Sequence, residues 1–359
     1  MSKCLLSICI PTANRKSELR NQLLGIAAQV EKLDKKELIQ VVIGDNSDVN
    51  DQFINLDEFS NLNIKYIRNN KNLGYARNVN NIIKESEGEY SWLLSDDDFL
   101  FDNALESILK NISDYSDSNY VTFECGGMFN GKLFNKNMYF KDIEKKYFCD
   151  GSEFLEKYWS SIIFVSINIF KREKVLEHMR TFNLLEDVNE VFQNSLIGIT
   201  FVAEKGEVLV INDPLLNDNY GNKVYSPKNI NNVAVDKYCK LIKQLVKANI
   251  SPKIINEMSR ELFANILKYG FYSVIYKIEY ESIQEHSEVY RKIYKDKNIA
   301  LFARSAAIII YLLLVSNASL AKVGLKIILF FRRRQTYHKV KSELDGIVAY
   351  GKSKITSTY

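Results

Sequence analysis

Apolar and polar positions alternate along the first half of the chain in a way that predicts strands and helices in turn. Leu5–Ile10 is a nearly continuous apolar run closed by Pro11-Thr12, as expected for a central strand buried on both faces. Leu19, Leu23, Ile26 and Val30 then recur at helical spacing. Leu38–Ile43 predicts a second buried strand running into Gly44-Asp45-Asn46-Ser47, and Ile64–Ile67 a third. Asn72-Leu73-Gly74 turns the chain into a helix with Val79, Ile82 and Ile83 on its apolar side, and Tyr90–Leu94 predicts the fourth strand. Such alternation gives βαβ units and a parallel sheet covered on both faces.

The same logic carried forward predicts a helix over Ala104–Ile112, a strand over Tyr120–Cys125 and a hairpin around Gly126–Phe140. A helix near Ser152–Trp159, a strand over Val165–Phe170 and a helix over Arg172–Arg180 follow. Leu184-Leu185-Glu186-Asp187 opens a helix through Leu196; Thr200–Ala203 and Val208–Ile211 suggest two closing strands, and Asn212–Pro227 a polar loop. Residues 228–298 read as helices rich in Tyr, Lys and Ile. The expected organisation is thus an α/β domain over 1–227 and an all-helical region over 228–359.

The polar residues of the first half gather where the strands end. Pro11-Thr12, Asp45-Asn46, Arg68-Asn69 and Asp96-Asp97-Asp98 each follow a strand, and ligands of open α/β sheets bind along that edge. Three adjacent carboxylates after the buried run Tyr90–Leu94 repel one another unless a cation answers them, and a hard ion such as Mn²⁺ or Mg²⁺ bound to phosphate oxygens would do so. An acidic turn capping the next helix is the simpler alternative. Neither a GxGxxG after the first strand nor a GxxxxGK[ST] is present, which removes the main support for dinucleotide and P-loop sites.

Composition narrows the picture in two places. The five cysteines are scattered and form no CxxC pair, and three histidines complete no zinc centre with them, so a reduced cytosolic compartment is expected. The formal charge of +4 is uneven: residues 301–359 carry ten Lys/Arg against Glu343 and Asp345, a net +8, leaving −4 for the rest. Ser305–Ala321 has no charge, Val323–Phe331 is apolar except for Lys326, and Arg332-Arg333-Arg334 follows. A segment of about 300–334 that lies on an anionic membrane surface fits this pattern, with a buried hairpin or a self-association interface as the alternative. A basic excess concentrated in that tail, and not interleaved on the sheet, argues against nucleic-acid binding.

Together these motifs resemble the family 2 glycosyltransferases of GT-A fold, over about Ser7 to Leu216, with similarity to bacterial enzymes of O-antigen or capsule assembly, including the abequosyltransferase-like group. The family's opening turn is matched by Pro11, Thr12, Asn14 and Arg15, its base-binding acidic residue by Asp45, and its Asn-x-Gly-x-x-Arg-Asn pattern by Asn72, Gly74, Arg77 and Asn78. Its metal motif, aligned back from Phe99-Leu100, places Asp97 and Asp98 as metal ligands and Asp96 at the nucleotide sugar; Ser95 stands on the family's first Asp. Its Glu-Asp pair corresponds to Glu186-Asp187, implying Asp187 as general base with Glu186 and Glu190 as substitutes. The implied protein is an inverting enzyme, dependent on Mn²⁺ or Mg²⁺, that moves a sugar from a nucleoside diphosphate to a lipid-diphosphate-linked glycan at the inner face of the cell membrane. The alternatives are a nucleotidyltransferase, disfavoured because Pro11–Asn14 is not a Gly-rich basic loop, and a degenerate homologue acting as a scaffold.

Overall fold

A computed structural model describes residues 4–33, 36–48, 54–129, 132–135, 138–182, 192–219, 232–280, 284–297, 299 and 301–315. The chain divides into two compact units, Met1–Lys223 and Val224–Tyr359.

The first unit is built on a ten-stranded sheet. Its strands are β1 (Leu6–Thr12), β2 (Ile39–Asp45), β3 (Ile64–Arg68), β4 (Tyr90–Leu93), β5 (Phe99–Leu100), β6 (Tyr120–Phe129), β7 (Lys132–Asn135), β8 (Lys146–Cys149), β9 (Asn168–Lys171) and β10 (Val208–Asn219). Along the sheet they run β3-β2-β1-β4-β9-β6-β10-β5, with β7 on β6 and β8 on β10. The β3-β2-β1-β4 half is parallel, whereas β9 runs antiparallel to both β4 and β6. The core strands are mostly apolar and buried on both faces: Ile8, Ile10, Val41, Ile43, Tyr90 and Trp92 are fully buried, because helices close both sides. Those helices are α1 (Lys16–Glu31), α2 (Tyr75–Glu85), α3 (Ala104–Asp114), α4 (Gly151–Tyr158), α5 (Arg172–Thr181) and α6 (Gln193–Lys205). This mostly parallel, mixed sheet with covering helices is the GT-A-like architecture expected of the sequence.

Register sets out the functional edge. Thr12 of β1 pairs with Asp45 of β2, and Asp45 with Arg68 of β3, so three polar side-chain positions end adjacent strands on one rung. Two glycines make the approach of α2 to that edge feasible. A Cβ on Gly44 would lie 2.3 Å from Asn78 Oδ1 and 2.5 Å from Ile82 Cγ2, so the helix could not sit this close to a larger residue. Gly74, which leads into α2, has φ +80°, a left-handed conformation that costs glycine little.

Some elements differ from the sequence reading. Thr200–Ala203 is the interior of α6, and α6 starts at Gln193. From Gln193 to Val202 every residue is buried, so the helix has no solvent face to reveal a helical period. β10 runs on through Asn219, across the expected loop of 212–227, with register shifts around Pro214 that absorb the missing N–H. Strand β5 is an addition, pairing Leu100 with Leu216.

The second unit is helical. A π-helical turn at Asn232–Lys237 leads into α7 (Tyr238–Lys247), followed by α8 (Pro252–Tyr280), α9 (Gln284–Lys295) and α10 (Leu301–Val315). Phe263 meets Phe302 edge-on at 5.6 Å, and Ile310 packs where a Cβ on Gly270 would lie 2.8 Å from it, so α8 and α10 pack closely. Ala303, Ala307 and Ile310 of α10 are buried, while Leu301, Ile309, Leu312 and Val315 are exposed. No helix among the described residues is long and apolar enough to cross a membrane.

Candidate active site

The site is assembled at the ends of β1, β2, β3 and β4. At its centre one arginine bridges two aspartates. Arg15 Nη1 lies 2.8 Å from Asp96 Oδ1, and Arg15 Nη2 lies 2.5 Å from Asp97 Oδ2. The other oxygen of each carboxylate takes a hydroxyl: Thr12 Oγ1 donates to Asp96 Oδ2 at 2.7 Å, and Ser95 Oγ donates to Asp97 Oδ1 at 2.5 Å. Asp98 has a different setting. It is buried, and its Oδ2 accepts from Ser166 Oγ at 2.5 Å, while Ser166 Oγ in turn receives Ser95 N–H at 3.0 Å. Burial pushes the Asp96 carboxyl up to about 6, although the Thr12 hydroxyl and the Arg15 charge pull the other way.

Arg15 is held at its base by a tight turn. Asn14 has φ +56°, its backbone N–H donates to Ser47 Oγ at 2.7 Å, and its side-chain amide exchanges hydrogen bonds with Asp48 at 3.1 and 2.9 Å. Asparagine tolerates this left-handed backbone better than most residues, which explains the residue type.

A second cluster forms around Asp45 on the rung next to Thr12. Its Oδ1 accepts Ser47 N–H at 2.8 Å, and its Oδ2 accepts from the Tyr66 hydroxyl and from Arg68 Nη1, the latter at 2.5 Å. Burial alone would raise the Asp45 carboxyl, but these donors outweigh it and hold it below the ordinary range. Burial and the Asp45 hydrogen bond together push the Tyr66 hydroxyl up to about 12. The sequence pattern marks Arg68 only as a polar residue at a strand end and gives no signal for Tyr66.

Between the clusters runs a network of amides. Asn78 Nδ2 donates to Gly44 O at 2.6 Å, Asn69 Nδ2 to Asn46 Oδ1 at 2.8 Å, and Asn46 Nδ2 to Gly74 O at 3.2 Å. Asn72 Oδ1 caps the turn by accepting Gly74 N–H at 2.8 Å. Arg77, expected beside the aspartates or a diphosphate, is exposed in the first turn of α2 and pairs with no described residue. The guanidinium that meets the aspartates belongs to Arg15. Glu186, Asp187 and Glu190 lie outside the described residues. The helix that follows them, α6, is tied to α2 by Gln193 Nε2 donating to Asn80 Oδ1 at 3.3 Å and by the Tyr75 hydroxyl donating to Asn194 Oδ1 at 3.4 Å.

The model of the glycosyl transferase family 2 matches residues 7–179, which take in β1, both aspartate clusters and β9. This stretch is a family 2 glycosyltransferase domain. Over 124 residues the chain is 35% identical to the abequosyltransferase RfbV of Salmonella typhimurium, a match that spans 34% of this chain and about a third (35%) of that relative. Among solved structures, residues 1–349 of S. aureus TarS in complex with UDP-GlcNAc superpose with a TM-score of 0.60, at 14% identity, over 89% of this chain and 92% of the other. The mannosyltransferase PcManGT from Pyrobaculum calidifontis, in complex with GDP-Man and Mn²⁺, gives 0.50 at 15% identity over 100% of this chain and 89% of the other. These likenesses establish the fold of the family 2 domain.

Whether the aspartates of this family 2 domain suit a metal can be judged from their donors. Among the described residues no three His, Cys, Asp or Glu side chains converge on one point. The donors at hand are hard carboxylate oxygens, Asp96 Oδ1 and Asp97 Oδ2, aimed at a shared cation. A small divalent ion is commonly held by one or two carboxylates with phosphate oxygens and water completing its shell, so the pair fits Mn²⁺ or Mg²⁺.

Proposed function

We propose that this protein transfers a sugar from a nucleoside-diphosphate donor to a glycan acceptor, with inversion at the anomeric carbon. The observation that carries this reading is the placement of two carboxylates, each with one oxygen fixed by a hydroxyl and the other facing a cation, at the strand-end edge of a family 2 domain. The donors named in the TarS and PcManGT complexes, UDP-GlcNAc and GDP-Man, support a nucleotide sugar as the ligand class.

Each part of the site then has a task. Pro11, Thr12, Asn14 and Asp45, with Tyr66 and Arg68, form the nucleotide end. The turn Asn72–Gly74 and the exposed Arg77 lie at the start of α2, where the positive end of a helix and a cation favour a diphosphate. Asp97, with Asp96 beside it, would hold the metal, and Asp98 braces the turn through Ser166. When bound, a divalent ion supplies positive charge to the departing diphosphate. Asp187, with Glu186 adjacent, would take the proton of the attacking hydroxyl.

The acceptor in this reading is a lipid-diphosphate-linked glycan of bacterial surface polysaccharide, presented at the inner membrane face. The exposed apolar residues of α10 (Leu301, Ile309, Leu312 and Val315) and the basic sequence beyond them support a peripheral membrane location. A groove of about 700 Å³ lined by Phe263, Leu267, Leu301, Phe302, Ala306 and Ile309 adds apolar surface on the same helix.

The test is a panel of nucleotide sugars incubated with Mn²⁺ and scored for release of nucleoside diphosphate. One donor is expected to turn over, and EDTA to stop it. Release from none of them, or release unaffected by EDTA, would overturn the proposal.

A further inference from the structure

Arg15 stands where a metal ion is expected to work, and each partner oxygen it takes is the one not already given to a hydroxyl. Thr12 holds Asp96 Oδ2 and Ser95 holds Asp97 Oδ1, which leaves Asp96 Oδ1 and Asp97 Oδ2, both occupied by the guanidinium. A dication that entered between those oxygens would meet a fixed positive charge on the same two atoms. Like charges at that separation repel strongly in a partly buried site, so ion and guanidinium exclude one another. Removing Arg15 without compensation would in turn leave two adjacent carboxylates with their repulsion unanswered.

We propose that Arg15 is a resident counter-cation that closes the Asp96–Asp97 pair to a divalent ion until a nucleoside diphosphate draws the guanidinium away, so that metal and nucleotide bind as one. The turn is built for such an exchange. The backbone of Asn14 is pinned by Ser47 and Asp48, whereas the Arg15 side chain is about one-third exposed and has a planar fork suited to phosphate oxygens. The diphosphate offers the departing guanidinium a new anion at the moment the metal needs the old ones. Metal affinity should therefore be weak without nucleotide and rise with it, by reciprocal coupling. This inference rests on the donor class proposed above and adds to it the order in which the ligands can be held.

The test follows Mn²⁺ binding through loss of the free aquo-ion signal in electron paramagnetic resonance. Wild type, Arg15→Gln and Arg15→Lys are compared, each alone and with uridine, guanosine, cytidine or thymidine diphosphate. In wild type one diphosphate should raise Mn²⁺ affinity by about 5- to 150-fold, the usual span of such coupling. Arg15→Gln should bind Mn²⁺ alone more tightly than wild type by a factor in that range, and gain less from the nucleotide. Arg15→Lys, which cannot span both carboxylates, should fall between and serves if the glutamine variant does not fold. Equal nucleotide-free Mn²⁺ affinity in all folded variants would overturn the latch, as would tight Mn²⁺ binding to wild type alone, and in either case the donor reading survives if a diphosphate binds. Failure of every diphosphate to bind wild type would overturn the donor reading and the latch with it.

Discussion

Glu124 offers a severe test of how the first unit is held together. Its carboxylate is fully buried in β6 and accepts four backbone N–H groups: Cys125 at 2.8 Å, Met138 at 2.8 Å, Tyr139 at 3.0 and 3.1 Å, and Phe140 at 2.6 Å. Three of these donors belong to the segment that follows β7, so one side chain closes the chain's return from the β6–β7 hairpin. Hydrogen bonds to a charged acceptor contribute roughly 1.5–3 kcal/mol each, but they share one ion whose desolvation costs several kcal/mol. Removing the ion leaves four N–H donors behind, at about 1–3 kcal/mol for each that stays buried and unpaired; offset by the desolvation no longer incurred, the net is about 3–5 kcal/mol. Glu124→Ala is expected to lose about that much, a large share of the roughly 5–15 kcal/mol that a domain has in total. Glu124→Gln keeps the shape but turns an amide N–H₂ toward N–H donors, and should lose about 2–4 kcal/mol on the same accounting. Urea unfolding would measure both, and amide hydrogen exchange at 138–140 should accelerate before the global transition. Losses below about 1 kcal/mol in both variants would refute the reasoning.

Three other expectations follow from the structure and the proposed chemistry. Burial holds the His178 imidazole below its ordinary range against the pull of Glu204, so the folded protein resists a proton that the unfolded chain accepts. Its share of stability is present above the unfolded value of about 6.5 and is lost as pH falls below it; urea unfolding at pH 7.5 and 5.5 should show the loss, reduced in His178→Asn. Asp187→Asn should cut sugar transfer by roughly 100-fold or more while nucleotide binding, followed calorimetrically, is kept; unaltered transfer would remove Asp187 as the base. Ile309→Glu combined with Leu312→Glu should abolish flotation of the protein with anionic liposomes, and flotation that persists would move the membrane contact off α10.

The parallel half of the sheet was legible because its strands are buried on both faces and end in punctuation: Pro11-Thr12, Gly44-Asp45 and Asp96–Asp98 each close an apolar run. The aspartates after β4 could be found the same way. What spacing does not carry is pairing across distance. Arg15 and Asp97 are 82 residues apart, and nothing local to either says that they meet, whereas Arg77 looked equally suited to the task. Helix α6 was misread at Thr200–Ala203 because a helix buried on every side has no amphipathic period, and its β-branched and aromatic residues favour a strand reading. In β10, Pro214 and its polar neighbours signal a loop; the strand continues only because a bulge lets the proline sit within it.

The rung Thr12–Asp45–Arg68 has an implication for redesign. Parallel ladders are knit by main-chain groups, so side chains at the end of one are replaceable without unpicking the pairing beneath them. On the nucleotide placement proposed above, preference for one nucleobase over another could then be rewritten at positions 45, 66 and 68. The carboxylates that face Arg15 come from a separate turn after β4, but Asp45 holds Ser47 and Arg68 holds Asp48, the two residues that pin Asn14 beside Arg15, so replacements must keep those two contacts.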